Sequence, residues 1–242
     1  STFLQRAFDQ IIHDVCIDKY PVVFALDRGG IVGADGPTHH GLFDYSYLRC
    51  MPHMTIMAPK DENELARMLV TALEHDGPIA IRYPRGRGVG AQIDHAPCPV
   101  EIGKGCIVEE GSDILLIGIG KSVCEIIKAA EILKAQNIHP TIINARFVKP
   151  IDTDLIVRYA SKIKDIITVE EHVLDGGFGS AVQEVLLDSQ LPGIRMKRIG
   201  IRNRFVEHGP QDVLQKEYQI DSDAIVSAAL MLKGQTNKAA GQ

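Results

Sequence analysis

The 242-residue sequence contains no tryptophan, and its aromatic share is only 5%. Long apolar runs are missing as well. Uninterrupted runs such as Val22 to Leu26 and Ile114 to Ile117 hold only five and four residues, and the latter reaches only Ile119 even with Gly118 counted, far short of the roughly 20 residues that span a bilayer as a helix. There is no basic excess: 26 Lys and Arg face 31 Asp and Glu, giving a formal net charge of −5. No Lys/Arg cluster adjoins an aromatic run, so the electrostatic footprint of a nucleic-acid binder is lacking. These shortages argue against a membrane or a nucleic acid as partner. The five cysteines, Cys16, Cys50, Cys98, Cys106 and Cys124, are odd in number and widely spaced, with no C-x-x-C. That usage fits reduced thiols in a cytosol-like compartment rather than a disulfide framework. Neither a Ser-His-Asp nucleophile elbow nor the ligand spacing of a structural zinc site occurs.

What is present reads as two α/β domains. Hydrophobic residues make up 45% and charged residues 24%, which is ordinary globular usage, and the length suits one large domain or two of ordinary size. The opening Ser1-Thr2-Phe3 runs almost at once into helical spacing, which reads as a piece of a longer chain. Phe3, Leu4, Ala7, Phe8, Ile11, Ile12 and Val15 predict an amphipathic helix over residues 2–18. Strands follow at 22–26, 54–57 and 79–81, with a helix between the last two that opens on the capping-box-like Asp61-Glu62-Asn63-Glu64. Residues 86–105, rich in Gly, Pro and polar groups, read as a linker holding one short strand at 100–102. Beyond it, strands at 114–119, 141–144, 166–169 and near 198–201 alternate with helices, one of them opening on the capping box Ser122-Val123-Cys124-Glu125. Such alternation predicts parallel βαβ units.

The motif richest in chemistry is Asp27-Arg28-Gly29-Gly30-Ile31-Val32-Gly33-Ala34-Asp35-Gly36-Pro37-Thr38-His39-His40-Gly41. It follows the apolar strand Val22 to Leu26, and loops at the carboxyl ends of buried strands are where open α/β sheets bind ligands. Glycines allow close backbone approach, His39 is of the residue type most often used for proton exchange, and Asp35 four residues earlier could orient it or contact a substrate hydroxyl. Arg28 and Arg85 each end a strand, and two planar guanidiniums converging on one crevice suit a phosphate or carboxylate. Glu170, Glu171 and His172 follow the strand at 166–169; acid–base chemistry is one reading, and acidic groups complementing the next helix N-terminus is the favoured one. Gly118-Ile119-Gly120-Lys121-Ser122 fits neither the Walker nor the dinucleotide glycine pattern and reads as a tight turn into a capped helix.

Ser1 to Gln10, the Asp27–Gly41 loop, Asp61 to Glu64, Arg82-Tyr83-Pro84-Arg85-Gly86 and Arg146-Phe147-Val148-Lys149-Pro150 together resemble the 1-deoxy-D-xylulose-5-phosphate synthase family, a branch of the transketolase-like thiamine diphosphate enzymes. The resemblance implies two consecutive α/β domains with largely parallel sheets: a pyrimidine-binding domain over residues 1–90, incomplete at its N-terminus, a linker at 91–107, a transketolase-like C-terminal domain at 108–233, and a disordered tail at 234–242. It implies condensation of pyruvate with D-glyceraldehyde 3-phosphate, with loss of CO2, on thiamine diphosphate. Phe3 would stack on the aminopyrimidine with Arg6 near that ring. Arg28 and Arg85 would hold the aldehyde's phosphate, and Asp35 and His39 would contact the substrates, His39 as a candidate for proton transfer. The family's ring-protonating glutamate and its Gly-Asp-Gly motif for diphosphate and Mg2+ are not in this sequence. The implied partners are therefore the N-terminal part of the same enzyme and a second copy in a homodimer, and the chain alone would be inactive. The implied compartment is the cytoplasm, or the plastid in a plant or alga. Two rivals stand beside it: the β subunit of the decarboxylating component of a 2-oxo acid dehydrogenase complex, and a non-catalytic α/β binding module.

Overall fold

Two sheets form because apolar segments with strand spacing alternate with segments whose apolar residues recur at helical spacing. The computed structural model describes residues 1–234. The first sheet holds β1 (Val23–Leu26), β2 (Thr55–Met57) and β3 (Ile79–Arg82) in the order β1-β3-β2, all parallel. The second holds β4 (Cys106–Glu109), β5 (Ile114–Gly118), β6 (Pro140–Asn144), β8 (Asp165–Val173) and β9 (Arg195–Ile201) in the order β4-β6-β5-β8-β9. Only β4 runs antiparallel in that second sheet. The remaining strand, β7 (Phe147–Lys149), leaves the second half of the sequence to pair antiparallel with β2 of the first sheet.

Eight α-helices pack on these sheets among the described residues: α1 (Phe8–Ile11), α2 (Asp44–Arg49), α3 (Glu62–Glu74), α4 (Ser122–Lys134), α5 (Thr153–Ala160), α6 (Phe178–Asp188), α7 (Gln211–Glu217) and α8 (Ser222–Leu232). None is long and apolar enough to cross a membrane. Helix α3 shows how sequence becomes packing. Asp61 caps it by accepting the Glu64 N–H, a contact generally worth about 1 kcal/mol. Met68 and Ala72 then face inward against Ile79, Ile81 and the Phe147 ring delivered by β7. The β7 crossover thus fastens the second half of the chain into the core of the first.

Several expectations need correction. The helix predicted over 2–18 is a 3-10 segment (Thr2–Ala7), the short α1 and a π segment (Ile12–Cys16). Its first six residues bury nothing, and Phe3 and Phe8 lie exposed. Helical geometry in proteins rests mainly on packing of the apolar face, and here that face is covered only in part: Ile11 and Cys16 are buried in the core, whereas Phe3 and Phe8 find no wall. The strand expected at 100–102 is absent, because the Thr71 hydroxyl takes both the N–H and the C=O of Val100. Pairing begins instead at Cys106, within the stretch read as linker. The capping box at Ser122 does not form: Lys121 is the N-cap, and the Glu125 carboxylate accepts from the Ser222 N–H and binds Lys128. Strand β8 runs to Val173, so Glu170, Glu171 and His172 lie within it and are buried. The predicted tail falls outside the described residues from position 235 on.

Candidate functional site

β1 and β3 are parallel neighbours, with Leu26 opposite Arg82, so the loops after both emerge at one end of the first sheet. The chain turns left-handed at Arg28 (φ +56°) and is then pinched shut: Gly30 and Gly41 exchange both backbone hydrogen bonds, at 2.8 and 2.9 Å. Glycine is required at this neck. A Cβ on Gly41 would sit 2.3 Å from the Arg28 carbonyl oxygen, and one on Gly30 (φ +86°) 2.7 Å from the Glu171 carboxyl carbon. The sequence thus encodes a closed loop whose tip carries the polar groups.

At that tip the Asp35 carboxylate pairs with the Arg85 guanidinium, which arrives on the loop after β3. The His39 ring stands edge-on to Phe3, with centroids 5.4 Å apart and planes at 84°. Its Nδ1 lies 2.9 Å from the Thr38 hydroxyl. Phe3 itself is 65% exposed. Arg28 pairs instead with neighbouring Asp27, so the two arginines expected to share one crevice engage different carboxylates. Arg6 is exposed on the N-terminal segment. Beside the Asp35–Arg85 pair opens a cleft of about 450 Å3, walled by Val32 to Ala34, by Arg85 and Gly86, and by the turn His208 to Gln211 from the second half.

Beneath the loop lies a buried polar network that residue types alone did not reveal. The Arg82 guanidinium donates to Asp44 Oδ2 (3.1 Å), Tyr45 Oη (3.2 Å), Gly41 O (2.8 Å) and Glu171 O (2.9 Å). Its central carbon also sits 4.5 Å above the Tyr45 ring centre. Burial opposes its charge, but Asp44 and the other groups around it keep its pKa raised. Burial likewise opposes ionisation of Asp44, yet Arg82 and its other partners hold the carboxyl below the usual range. His172 stacks on Tyr45 at 4.8 Å. Its Nδ1 donates to Val173 O, and its Nε2 accepts the Tyr45 N–H. Burial lowers its pKa to about 4, so near neutrality it is the uncharged Nδ1–H tautomer and serves as a scaffold.

Glu170 accepts from the N–H groups of Phe178 and Gly179 in the first turn of α6. That is the structural role the sequence favoured, although burial pushes its pKa up to about 8. Glu171 differs from it: its Oε1 accepts the Ile31 N–H at 2.8 Å and so reaches into the Asp27–Gly41 loop from the other sheet. His40 also serves the loop, accepting the Val32 N–H at Nδ1 and donating from Nε2 to Glu207 O. Among the described residues no three His, Cys, Asp or Glu side chains converge as a metal site. The signal for the missed residues was faint: Arg82 and Glu171 read as strand-end charges, and no spacing links Asp44 to His172.

The two halves each match a family model, transketolase pyrimidine binding domain over residues 1–88 and transketolase C-terminal domain over residues 103–225. Among curated proteins, 1-deoxy-D-xylulose-5-phosphate synthase 1 of Geobacter sulfurreducens is 57% identical over 94% of the chain. The synthases of Halothermothrix orenii and Crocosphaera subtropica are 53% and 55% identical over 96% and 93% of it. The chain spans only 36% of the length of each of these relatives. Among solved structures, a split gene transketolase described as an inactive β4 tetramer superposes with a TM-score of 0.83 at 27% identity, covering 98% of this chain and 74% of that one. The chain belongs to the transketolase family, and its relatives set it beside the 1-deoxy-D-xylulose-5-phosphate synthases within it.

Proposed function

We propose that the chain is the C-terminal portion of a thiamine diphosphate-dependent synthase that joins pyruvate to D-glyceraldehyde 3-phosphate, forming 1-deoxy-D-xylulose 5-phosphate and CO2. In this reading residues 1–90 and 108–233 are its two domains, the active form is a homodimer, and catalysis needs the N-terminal portion. The observation that carries it is the pairing of Arg85 with Asp35 at the tip of the glycine-necked loop, above a cleft of substrate size. A guanidinium already held by one carboxylate is a preformed fork for a phosphate. An incoming phosphate competes for Arg85 and frees Asp35 to meet a substrate hydroxyl.

The residues present fit one end of the cofactor. Phe3 offers an exposed aromatic face beside His39, suited to offset stacking on a pyrimidine ring, with Arg6 nearby on the same segment. The diphosphate and its Mg2+ are left to groups outside the described residues. When bound, thiamine diphosphate supplies the electron sink for decarboxylation and the carbon nucleophile for the aldehyde. The chain's own residues bind and orient. Arg85 takes the phosphate, Arg28 adds positive charge at the neck, and Asp35 accepts from a hydroxyl. His39, with Nδ1 engaged by Thr38, keeps Nε2 for proton exchange.

Kinetics with the N-terminal portion supplied, in the same polypeptide or as a second one, test the assignment. Arg85→Ala should raise KM for D-glyceraldehyde 3-phosphate by about tenfold or more while leaving KM for pyruvate within about twofold, as loss of a charge-assisted phosphate contact predicts. Unchanged use of the phosphorylated aldehyde in both Arg85→Ala and Arg28→Ala would remove the phosphate role. Absence of any thiamine diphosphate-dependent CO2 release in the reconstituted protein would favour the non-catalytic module.

A further inference from the structure

The loop that carries Asp35 and His39 is not held by its own domain alone. Both peptide groups of Ile31, a residue only 1% exposed, are taken by side chains from the second half of the chain. Glu171 Oε1 accepts its N–H at 2.8 Å, and Gln211 Nε2 donates to its C=O at 2.7 Å. The same Gln211 amide donates to the carbonyl of Arg85 at 3.1 Å. One side-chain amide therefore ties together the two backbone arms whose side chains form the Asp35–Arg85 pair.

The surroundings are shaped for that amide. Gln211 is the first residue of α7, directly after Pro210. A Cβ on Gly33 would meet its Cγ at 3.3 Å, and a Cβ on Gly86 its Oε1 at 3.5 Å. The neighbouring Gly209 N–H donates to Gly33 O. An amide NH2 has two hydrogens in fixed directions, one for each carbonyl, and no other side chain of this size presents that fork uncharged. A glutamate would aim oxygen at two carbonyl oxygens.

We infer that Gln211, backed by Glu171, is a positioning residue through which the C-terminal half sets the separation of the Asp27–Gly41 loop and the Arg85 loop, and so the enzyme's preference for a phosphorylated aldehyde. This rests on the functional reading above, in which Arg85 takes the phosphate. It gives the second domain a part in acceptor selection without contact to the reacting atoms. The cleft fits this arrangement, since Gln211 and His208 line it together with Val32 to Ala34, and Gln211 packs directly against Gly33.

The test compares kcat/KM for D-glyceraldehyde 3-phosphate with that for unphosphorylated D-glyceraldehyde, with the N-terminal portion present. Variants are Gln211→Glu and Gln211→Ala, with Arg85→Ala alongside. The expected result is a fall of about tenfold in the phosphorylated-to-unphosphorylated ratio for Gln211→Glu and a smaller fall for Gln211→Ala. The change should lie in KM for the phosphorylated aldehyde, with KM for pyruvate held. If Gln211→Glu fails to fold, Gln211→Ala decides by the same ratio. A ratio unchanged in the Gln211 variants, even with overall activity reduced, would make the residue merely structural and overturn the inference. Loss of the preference in Arg85→Ala but not in the Gln211 variants would overturn this inference alone. A preference intact in Arg85→Ala would overturn the assignment of the phosphate to Arg85 on which the inference rests.

Discussion

Replacing Arg82 by Met should be the most damaging single change in the buried network. The guanidinium makes four hydrogen bonds there, one to a carboxylate, one to a phenol and two to backbone carbonyls of Gly41 and Glu171. Methionine fills much of the stem volume but leaves Asp44, 1% exposed, without its cation. Its remaining donors are the Ser1 hydroxyl and the Tyr45 N–H. Removing one partner of a buried ion pair costs about 3–5 kcal/mol. Each orphaned carbonyl can add about 1 kcal/mol or more, reduced where water enters. A total near 5 kcal/mol corresponds to a fall of about 10–20 °C in Tm for a chain of this size.

Thermal and urea unfolding of the wild type, Arg82→Met, Asp44→Asn and the double variant form the assay. If the cost is mainly the unpaired carboxylate, Asp44→Asn in the Arg82→Met background should restore about half of it, roughly 2 kcal/mol, so that the double variant loses clearly less than the sum of the two single losses. A loss below about 1 kcal/mol for Arg82→Met, or strict additivity in the cycle, would show that the network is not held by this pair and would refute the reasoning.

Gly30→Ala should cost about 2 kcal/mol or more and expose the Asp27–Gly41 loop to proteolysis, because its backbone is left-handed and its Cβ would strike Glu171; limited proteolysis with a Tm measurement checks this. His172 has a folded pKa of about 4 against an ordinary 6.5, so the unfolded chain binds the extra proton between those values. Stability should therefore be complete above about pH 6.5 and fall by up to about 3 kcal/mol as pH drops to 4, and His172→Gln should flatten that part of the profile in urea titrations. Glu170 has the opposite sign. Its folded pKa of about 8 lies above the ordinary 4.5, so its contribution is greatest below about 4.5 and is lost as pH rises through 8, a slope that Glu170→Gln should remove. Phe3→Ala should weaken thiamine diphosphate binding to the reconstituted protein by about tenfold, as loss of one aromatic stacking contact predicts, measured by calorimetry; unaltered affinity would free Phe3 from that role.

The alternation of β5, α4, β6 and β8 was legible because each element has its own period, and a buried parallel strand such as Ile114 to Ile117 reads as an unbroken apolar run. The Asp27–Gly41 loop was legible for a related reason. Its glycines sit where chain crosses chain, and its Asp35 and His39 have no core to serve. Tertiary structure alone decided which partners these groups met. Arg28 and Arg85 look equivalent in the sequence, yet one turns to Asp27 and the other to Asp35. Strand β7 is three residues long and has no pattern of its own; it exists because Phe147 fills the gap between α3 and the first sheet. Arg82, Asp44, Tyr45 and His172 are dispersed along the chain and become one network only when β3, α2 and β8 meet. Periodicity reports which face of an element is buried, a local property. The pairing of a buried charge depends on neighbours far away in sequence, and that information exists only once the fold has formed.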